Sequence, residues 1–183
     1  MEAETIRDSL LATSGRLDRS LHGMSVPGSR EKDDPYHRLF QGPLDGHGRR
    51  SLYIKTTLME APKFLEAFNL PGGKVCQGRR DLTSVPAQAL AMLNDPFVLQ
   101  QADTWSKRLT ERRDDTVPSR LDAMFRAALG RPPRFAESER FTRFVARMAE
   151  LHGVAERDVP ASPVVWRDVA HTLYNLQEFI TIP

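Results

Sequence analysis

The chain has 183 residues, with 40% hydrophobic and 27% charged residues and a formal charge of +2. That is enough for a folded core, and no apolar run approaches the about 20 residues that span a bilayer. Residues 1–82 carry 13 basic and 11 acidic groups and residues 83–183 carry 13 of each, so neither half has the basic surface of a nucleic-acid binder.

Residues 1–13 read as a helix with Ala3, Ile6, Leu10 and Leu11 on one face and Gly15 as a stop. Their start lacks the basic residues and apolar core of a signal peptide. Residues 19–48, rich in Gly, Pro, Ser and charge, read as a long irregular arm, expected to be mobile. In RRSLYIKTT, Arg49 to Thr57, Leu52 and Ile54 alternate with Tyr53 and Lys55, which predicts a short strand. Its pairing partner must be distant: residues 179–182, or a segment of another chain. APKFLEAF, residues 61–68, predicts a short helix opening at Pro62, and NLPGGKVCQGRR a turn-rich connection.

From residue 83 the periodicity is helical. Pro86 starts a helix, with Thr83 or Ser84 near its cap. Asn94 ends it, Asp95 caps the next, and Pro96 takes that helix's first position, where a missing N–H costs nothing. Val98, Ala102, Trp105 and Leu109 form its stripe. Pro118 opens a third helix carrying Leu121, Met124, Phe125, Ala128 and Leu129, stopped by Gly130. A fourth, about 136–151, presents Phe141, Phe144, Val145 and Met148. A fifth starts at Ser162-Pro163 and buries Trp166, Val169, Ala170 and Leu173, after which EFITIP is expected to be extended.

The fold class is therefore mainly α. Residues 1–82 supply a helix, an irregular arm, at most one or two short strands and a short helix. They are expected to pack on the rest of the chain or on a domain outside it. Residues 83–183 supply a bundle of about five helices.

Several residues could carry chemistry. Of the 26 cations, 21 are arginine, whose guanidinium grips carboxylate, sulfate or phosphate in a fork. Two pairs, Arg49-Arg50 and Arg79-Arg80, lie beside glycine-containing loops. They read either as an anion pocket or as structural ion pairs with Asp45, Asp81 or Asp95. Asp45-Gly46-His47-Gly48 reads as a glycine-rich turn. Asp95 reads as a cap, and Asp168 with His171 as a hydrogen-bonded pair on a helix surface, too few groups for a metal. Cys76 is the only cysteine, which excludes an intrachain disulfide and a CxxC zinc or haem motif. No GxSxG or HExxH pattern occurs, so no catalytic residue, metal or cofactor is assigned.

VPAQALAMLNDPFVLQQADTWSKRL, AMFRAALGRPP and WRDVAHTLYNLQEFI, together with EAETIRDSLLATSGRL, GPLDGHGRRSLYI and FLEAFNLPGGKVCQGRRDLTSVPAQAL, follow one another along the chain. In that order they resemble the C-terminal part of a planctomycete domain of unknown function. That domain follows cytochrome-c-like and cytochrome-associated modules in large proteins that are often exported. The resemblance implies a missing upstream domain, or another subunit, as partner. Neighbouring modules in such proteins link the domain to polysaccharide breakdown or electron transfer. Two functions follow as expectations. One is a non-catalytic structural or interaction module. The other is a fragment of an enzyme acting on an anionic, sulfated or carboxylated polysaccharide, with Arg49, Arg50, Arg79 and Arg80 as its anion pocket.

Overall fold

In the computed structural model, the described residues are 1–28, 42–56, 61–72, 78–80, 85–111 and 116–181. Most of the arm's middle, together with Cys76, Asp81, Thr83 and Ser84, lies outside them. Among the described residues the chain is mainly α, with one two-stranded parallel pairing. Its contacts divide it into two compact units, Met1–Phe97 and Val98–Pro183.

The first unit is organised around α1, Ala3–Ser14. Ala3, Ile6, Leu10 and Leu11 recur every three to four residues and are all buried. Gly15 ends the helix in the left-handed region, at φ 80°, its N–H reaching the carbonyls of Leu11 and Ala12. Helix α2, Lys63–Ala67, packs on α1 and supplies buried Phe64 and Leu65. Phe64 makes ring contacts with Phe68 at 5.2 Å and Phe97 at 5.4 Å. Helix α3, Pro86–Asn94, packs on α2.

The strand expected over Arg49–Thr57 is shorter than its pattern suggested. Residues Ser51–Tyr53 form a 3₁₀ turn, closed by Tyr53 N–H to the Arg50 carbonyl at 2.9 Å. That turn breaks the alternation, leaving Leu52 exposed and Ile54 buried. Among the described residues of this stretch Ile54–Lys55 form the strand (β2), paired in parallel with Val26–Pro27 (β1) from within the arm, and Arg49 makes an isolated parallel bridge to Asp18. Of the expected partner 179–182, the described residues 179–181 form no strand, and Ile182 lies outside the described residues. Instead of extending, Gln177–Ile180 form a short helix, α8, and bury Phe179 at 5.1 Å from Tyr174.

The second unit follows the expected helix order. Helix α4, Pro96–Thr110, begins at the end of the first unit. Asp95 Oδ1 accepts the Phe97 N–H at 2.8 Å, the cap that the Asn-Asp-Pro break predicts. Helix α5, Val117–Leu129, is capped by Thr116 and ended by Gly130 at φ 70°. Helix α6, Phe135–Leu151, and α7, Pro163–Tyr174, complete the unit. Ser162 precedes α7 as expected, but its side chain makes no capping bond.

The second unit's core is Val98, Ala102, Trp105, Leu121, Met124, Phe125, Val145, Trp166, Val169, Ala170, Leu173 and Tyr174, all buried. A 3₁₀ segment, Glu156–Ala161, leads into α7. Its Val159 carbonyl accepts the Trp166 indole N–H at 2.9 Å. Arg120 is wholly buried, lies 4.9 Å over the Trp166 ring and donates to the Pro160 carbonyl.

Candidate functional site

The arginines marked in the sequence gather around α1. Glu4 and Asp8 stand one turn apart on that helix, so their side chains share a face. Arg80 donates a fork to Glu4, at 2.7 and 3.0 Å, and lies 3.4 Å from Glu2. Arg50 Nε lies 3.6 Å from Asp8. Burial pushes the Glu4 carboxyl up. The Arg80 hydrogen bonds, a backbone N–H and the Arg80 charge outweigh it and hold Glu4 below its ordinary value. The same fork raises the Arg80 guanidinium.

Beside this acidic ridge, Arg7 is buried. Its guanidinium donates to the carbonyls of Asp45 at 2.7 Å and Arg49 at 3.0 Å and to Ser51 Oγ at 3.2 Å, and sits 5.2 Å over Phe97. Burial lowers its pKa, against the charges of Asp8 and Asp45, which raise it. Ser51 donates its backbone N–H and its hydroxyl to Asp8, both at 2.7 Å. A loop of residues 45–51 is thereby fastened to α1 by donors and acceptors from both sides.

The glycines of this loop are required by space as well as by φ. At Gly46, φ +58°, a Cβ would stand 2.6 Å from Ile54 Cδ1 and 2.9 Å from Arg7 Nη2. At Gly48, φ +75°, it would stand 2.1 Å from the Arg16 carbonyl oxygen. His47 between them is exposed and also left-handed, at φ 56°. Asp45 accepts the His47 N–H at 3.0 Å and pairs with Arg16 at 2.6 Å.

Arg49 is committed to the start of the arm. It donates to the carbonyls of Ser20 and His22, lies 3.6 Å from Asp18 and stacks 4.0 Å over Tyr53. The Tyr53 hydroxyl accepts the His22 N–H at 2.7 Å. Arg79 is exposed, and no ion pair holds it among the described residues. The structure thus brings Arg50 and Arg80 to one helix face, turns Arg49 toward the arm and leaves Arg79 in solvent. Arg50 and Arg80 face three carboxylates, Glu2, Glu4 and Asp8, so their positive charge is compensated.

The other marked residues have local partners. Asp95 is a cap. Burial raises its carboxyl, and the Phe97 N–H opposes that. Asp168 pairs with His152, Nε2 to Oδ2 at 2.6 Å. Among the described residues no group of three or more His, Cys, Asp or Glu side chains could hold a metal ion. None of their helices is long and apolar enough to cross a membrane. Sequence reasoning missed Glu4, Arg7 and Asp8, although two acids spaced i, i+4 on an N-terminal helix were a legible counterpart to the arginine pairs.

These features define a mainly α protein with an arginine–carboxylate clasp on its first helix. The family described as PSD1, protein of unknown function (DUF1553), matches residues 1–145, and the chain belongs to that family. The motif WRDVAHTLYNLQEFI in α7 and α8 lies beyond the matched residues. No curated protein and no solved structure matches the chain.

Proposed function

We propose that the chain is a non-catalytic structural and interaction module, the C-terminal part of a larger planctomycete cytochrome-associated protein. The observation that carries this reading is the clasp on α1. Arg49, Arg50 and Arg80, the residues best suited to grip an anionic substrate, each hold a carboxylate of the chain itself. A substrate anion would have to displace those internal partners, leaving Glu4 without its counter-ion and Asp8 with Arg7 alone.

One observation favours the second reading, an enzyme fragment with an anion pocket for a sulfated or carboxylated polysaccharide. Glu4 and Asp8, one turn apart on α1, hold Arg80 and Arg50, and exposed Arg79 adjoins Arg80 in sequence.

Incubating the full chain with dextran sulfate and with polygalacturonate separates the two. The expected result is no new reducing ends, and no binding that depends on these arginines. Arg79→Met leaves the Glu4 fork intact, and Arg79→Met with Arg80→Met removes it. Turnover of either polymer, or binding lost in the Arg79→Met variant, overturns the non-catalytic reading.

A further inference from the structure

Phe135, the first residue of α6, is 80% exposed. The other described phenylalanines are buried or half-buried. A lone exposed ring is ordinary, so exposure decides nothing by itself. Its surroundings decide more. The ring borders an open hollow of about 360 Å³, within the range of about 300–1,000 Å³ of small-molecule sites. Ser138, Glu139, Thr142 and Arg143 line the rest of it. They follow Phe135 at i+3, i+4, i+7 and i+8, so all five residues share one face of α6. Among the described residues, none of those four polar side chains makes a hydrogen bond or ion pair. Even Glu139 and Arg143, at the i, i+4 spacing that favours pairing, stay apart. Arg80 and Arg131 are spent on carboxylates of the chain, and Arg143 is not.

We propose that this hollow binds a neutral pyranose, one ring of a glycan, stacked on Phe135. Charge sets the class first. One carboxylate and one guanidinium cancel, so an anionic ligand meets Glu139 as a like charge and a cationic one meets Arg143. Hydrogen-bond polarity sets it next. Glu139 only accepts, Arg143 only donates, and Ser138 and Thr142 do both. A hydroxyl donates and accepts, so adjacent hydroxyls on one molecule satisfy neighbouring groups of opposite polarity. The ring completes the match. An aromatic face is electronegative and attracts the electropositive C–H groups on the flat side of a sugar ring. A pyranose carries that C–H face and a rim of hydroxyls together. A protein interface, by contrast, excludes charge from its core, whereas two of the five groups here are charged. The inference goes beyond the interaction reading above and makes no use of the clasp on α1.

Nuclear magnetic resonance titration of the full chain, reading backbone amide shifts, tests this with three neutral probes: cellotetraose, mannohexaose and xylohexaose. At least one is expected to give saturable shifts at residues 135–143, in the millimolar range and insensitive to added salt. Phe135→Ala should weaken that binding about tenfold, and Phe135→Trp should keep it. Glu139→Gln and Arg143→Met should each weaken it severalfold. Arg147→Met, one turn further on, removes an equal charge and should leave it unchanged. Phe135, Glu139, Arg143 and Arg147 are exposed, so the spectra of the variants should otherwise match wild type. Should Phe135→Ala disturb α6, Glu139→Gln carries the test instead. Hexagalacturonate is the charged comparison. Shifts with it alone, lost in salt, overturn the inference, because Arg143 would then act as a bare charge. No shift with any neutral probe, shifts elsewhere in the chain, or binding indifferent to both Phe135→Ala and Glu139→Gln also overturns it. Turnover of an anionic polymer would overturn the non-catalytic reading and leave this site untouched.

Discussion

Arg131 and Glu178 stand 47 residues apart and share two short hydrogen bonds, Nε–H to Oε1 at 2.7 Å and Nη2–H to Oε2 at 2.6 Å. The same guanidinium forks onto Glu137 at 2.8 and 2.9 Å. One arginine in the turn after α5 therefore ties the start of α6 to α8. Glu137 also accepts the Arg134 N–H at 2.7 Å, so it caps α6 as well.

This triad gives the second unit a defined acid response. The Arg131 hydrogen bonds carry the Glu137 carboxyl down to about 2 and hold Glu178 below its ordinary value. Both groups take up protons less readily in the folded chain than in the unfolded one. Their contribution to stability is therefore complete above the unfolded value near 4.5 and is lost as pH falls toward about 2. Other carboxylates held low, such as Glu4, act in the same direction. The difference between wild type and Arg131→Met isolates the triad. Urea denaturation should show the variant about 1–2 kcal/mol less stable at pH 7, the site being partly exposed, with the gap closing toward pH 2. A gap constant across that range would exclude the triad as its cause.

Removing Arg7 should be more damaging. Arg7→Met keeps the length and apolar contact of the side chain but strips donors from the Asp45 and Arg49 carbonyls and from Ser51. Unsatisfied acceptors in a buried site predict a loss of about 2–4 kcal/mol. Arg7→Lys should recover only part of it, because an ammonium cannot span all three acceptors. Hydrogen exchange at the amides of α1 and of residues 45–51 is the direct readout. Protection lost in α1 alone would mean the loop does not depend on Arg7.

What the sequence made legible follows from the range of each interaction. The stripes of α5 and α7 were readable because packing of a helix repeats every three to four residues, and Leu121, Phe125, Trp166 and Val169 are indeed buried. The cap at Asp95 was readable because its acceptor and donor lie two residues apart. In the tail EFITIP, Glu178–Ile180 are helical where the pattern suggests extension, Thr181 is extended, and Ile182 and Pro183 lie outside the described residues. The tail's β-branched residues suggest a strand, but Glu178 is held by Arg131 and Phe179 by Tyr174, partners that no local pattern announces. The arginine pairs were visible as candidates, but the carboxylates they hold lie from 31 to 78 residues away, beyond any motif. In α3 the alanine- and leucine-rich pattern identified the helix but not which face turns inward.

At Asp95 two effects oppose each other, and two substitutions separate them. The side chain caps α4, which stabilises, while burial raises its carboxyl, so ionising it in the folded chain carries a cost. Because the folded value lies above the unfolded one, this group's contribution falls as pH rises between the two. Asp95→Ala should lose the cap, about 0.5–2 kcal/mol. Asp95→Asn keeps an acceptor oxygen and removes the charge, so at pH 7 it should be at least as stable as wild type. Thermal denaturation at pH 7 and at pH 4 reads both, and Asn destabilising as much as Ala would show that the charge itself is what α4 requires.

Tyr174 offers the reverse case, a polar atom the fold would be better without. Its ring stacks on Trp105 at 5.4 Å and touches Phe179, while its buried hydroxyl has no hydrogen-bond partner among the described residues. Burial raises the phenol's pKa, and the nearby Arg108 charge only partly offsets it, so the hydroxyl stays neutral. Tyr174→Phe keeps every ring contact and deletes a donor that gave up water for nothing. It should raise stability by about 1 kcal/mol in chemical denaturation, with no change in the denaturant slope. Tyr174→Ala removes the ring as well, opens a cavity beside Trp105, and should cost about 3–5 kcal/mol. A Phe variant less stable than wild type would mean that the hydroxyl is hydrogen-bonded in solution, most simply to a buried water, and that the polar atom belongs to the core's design.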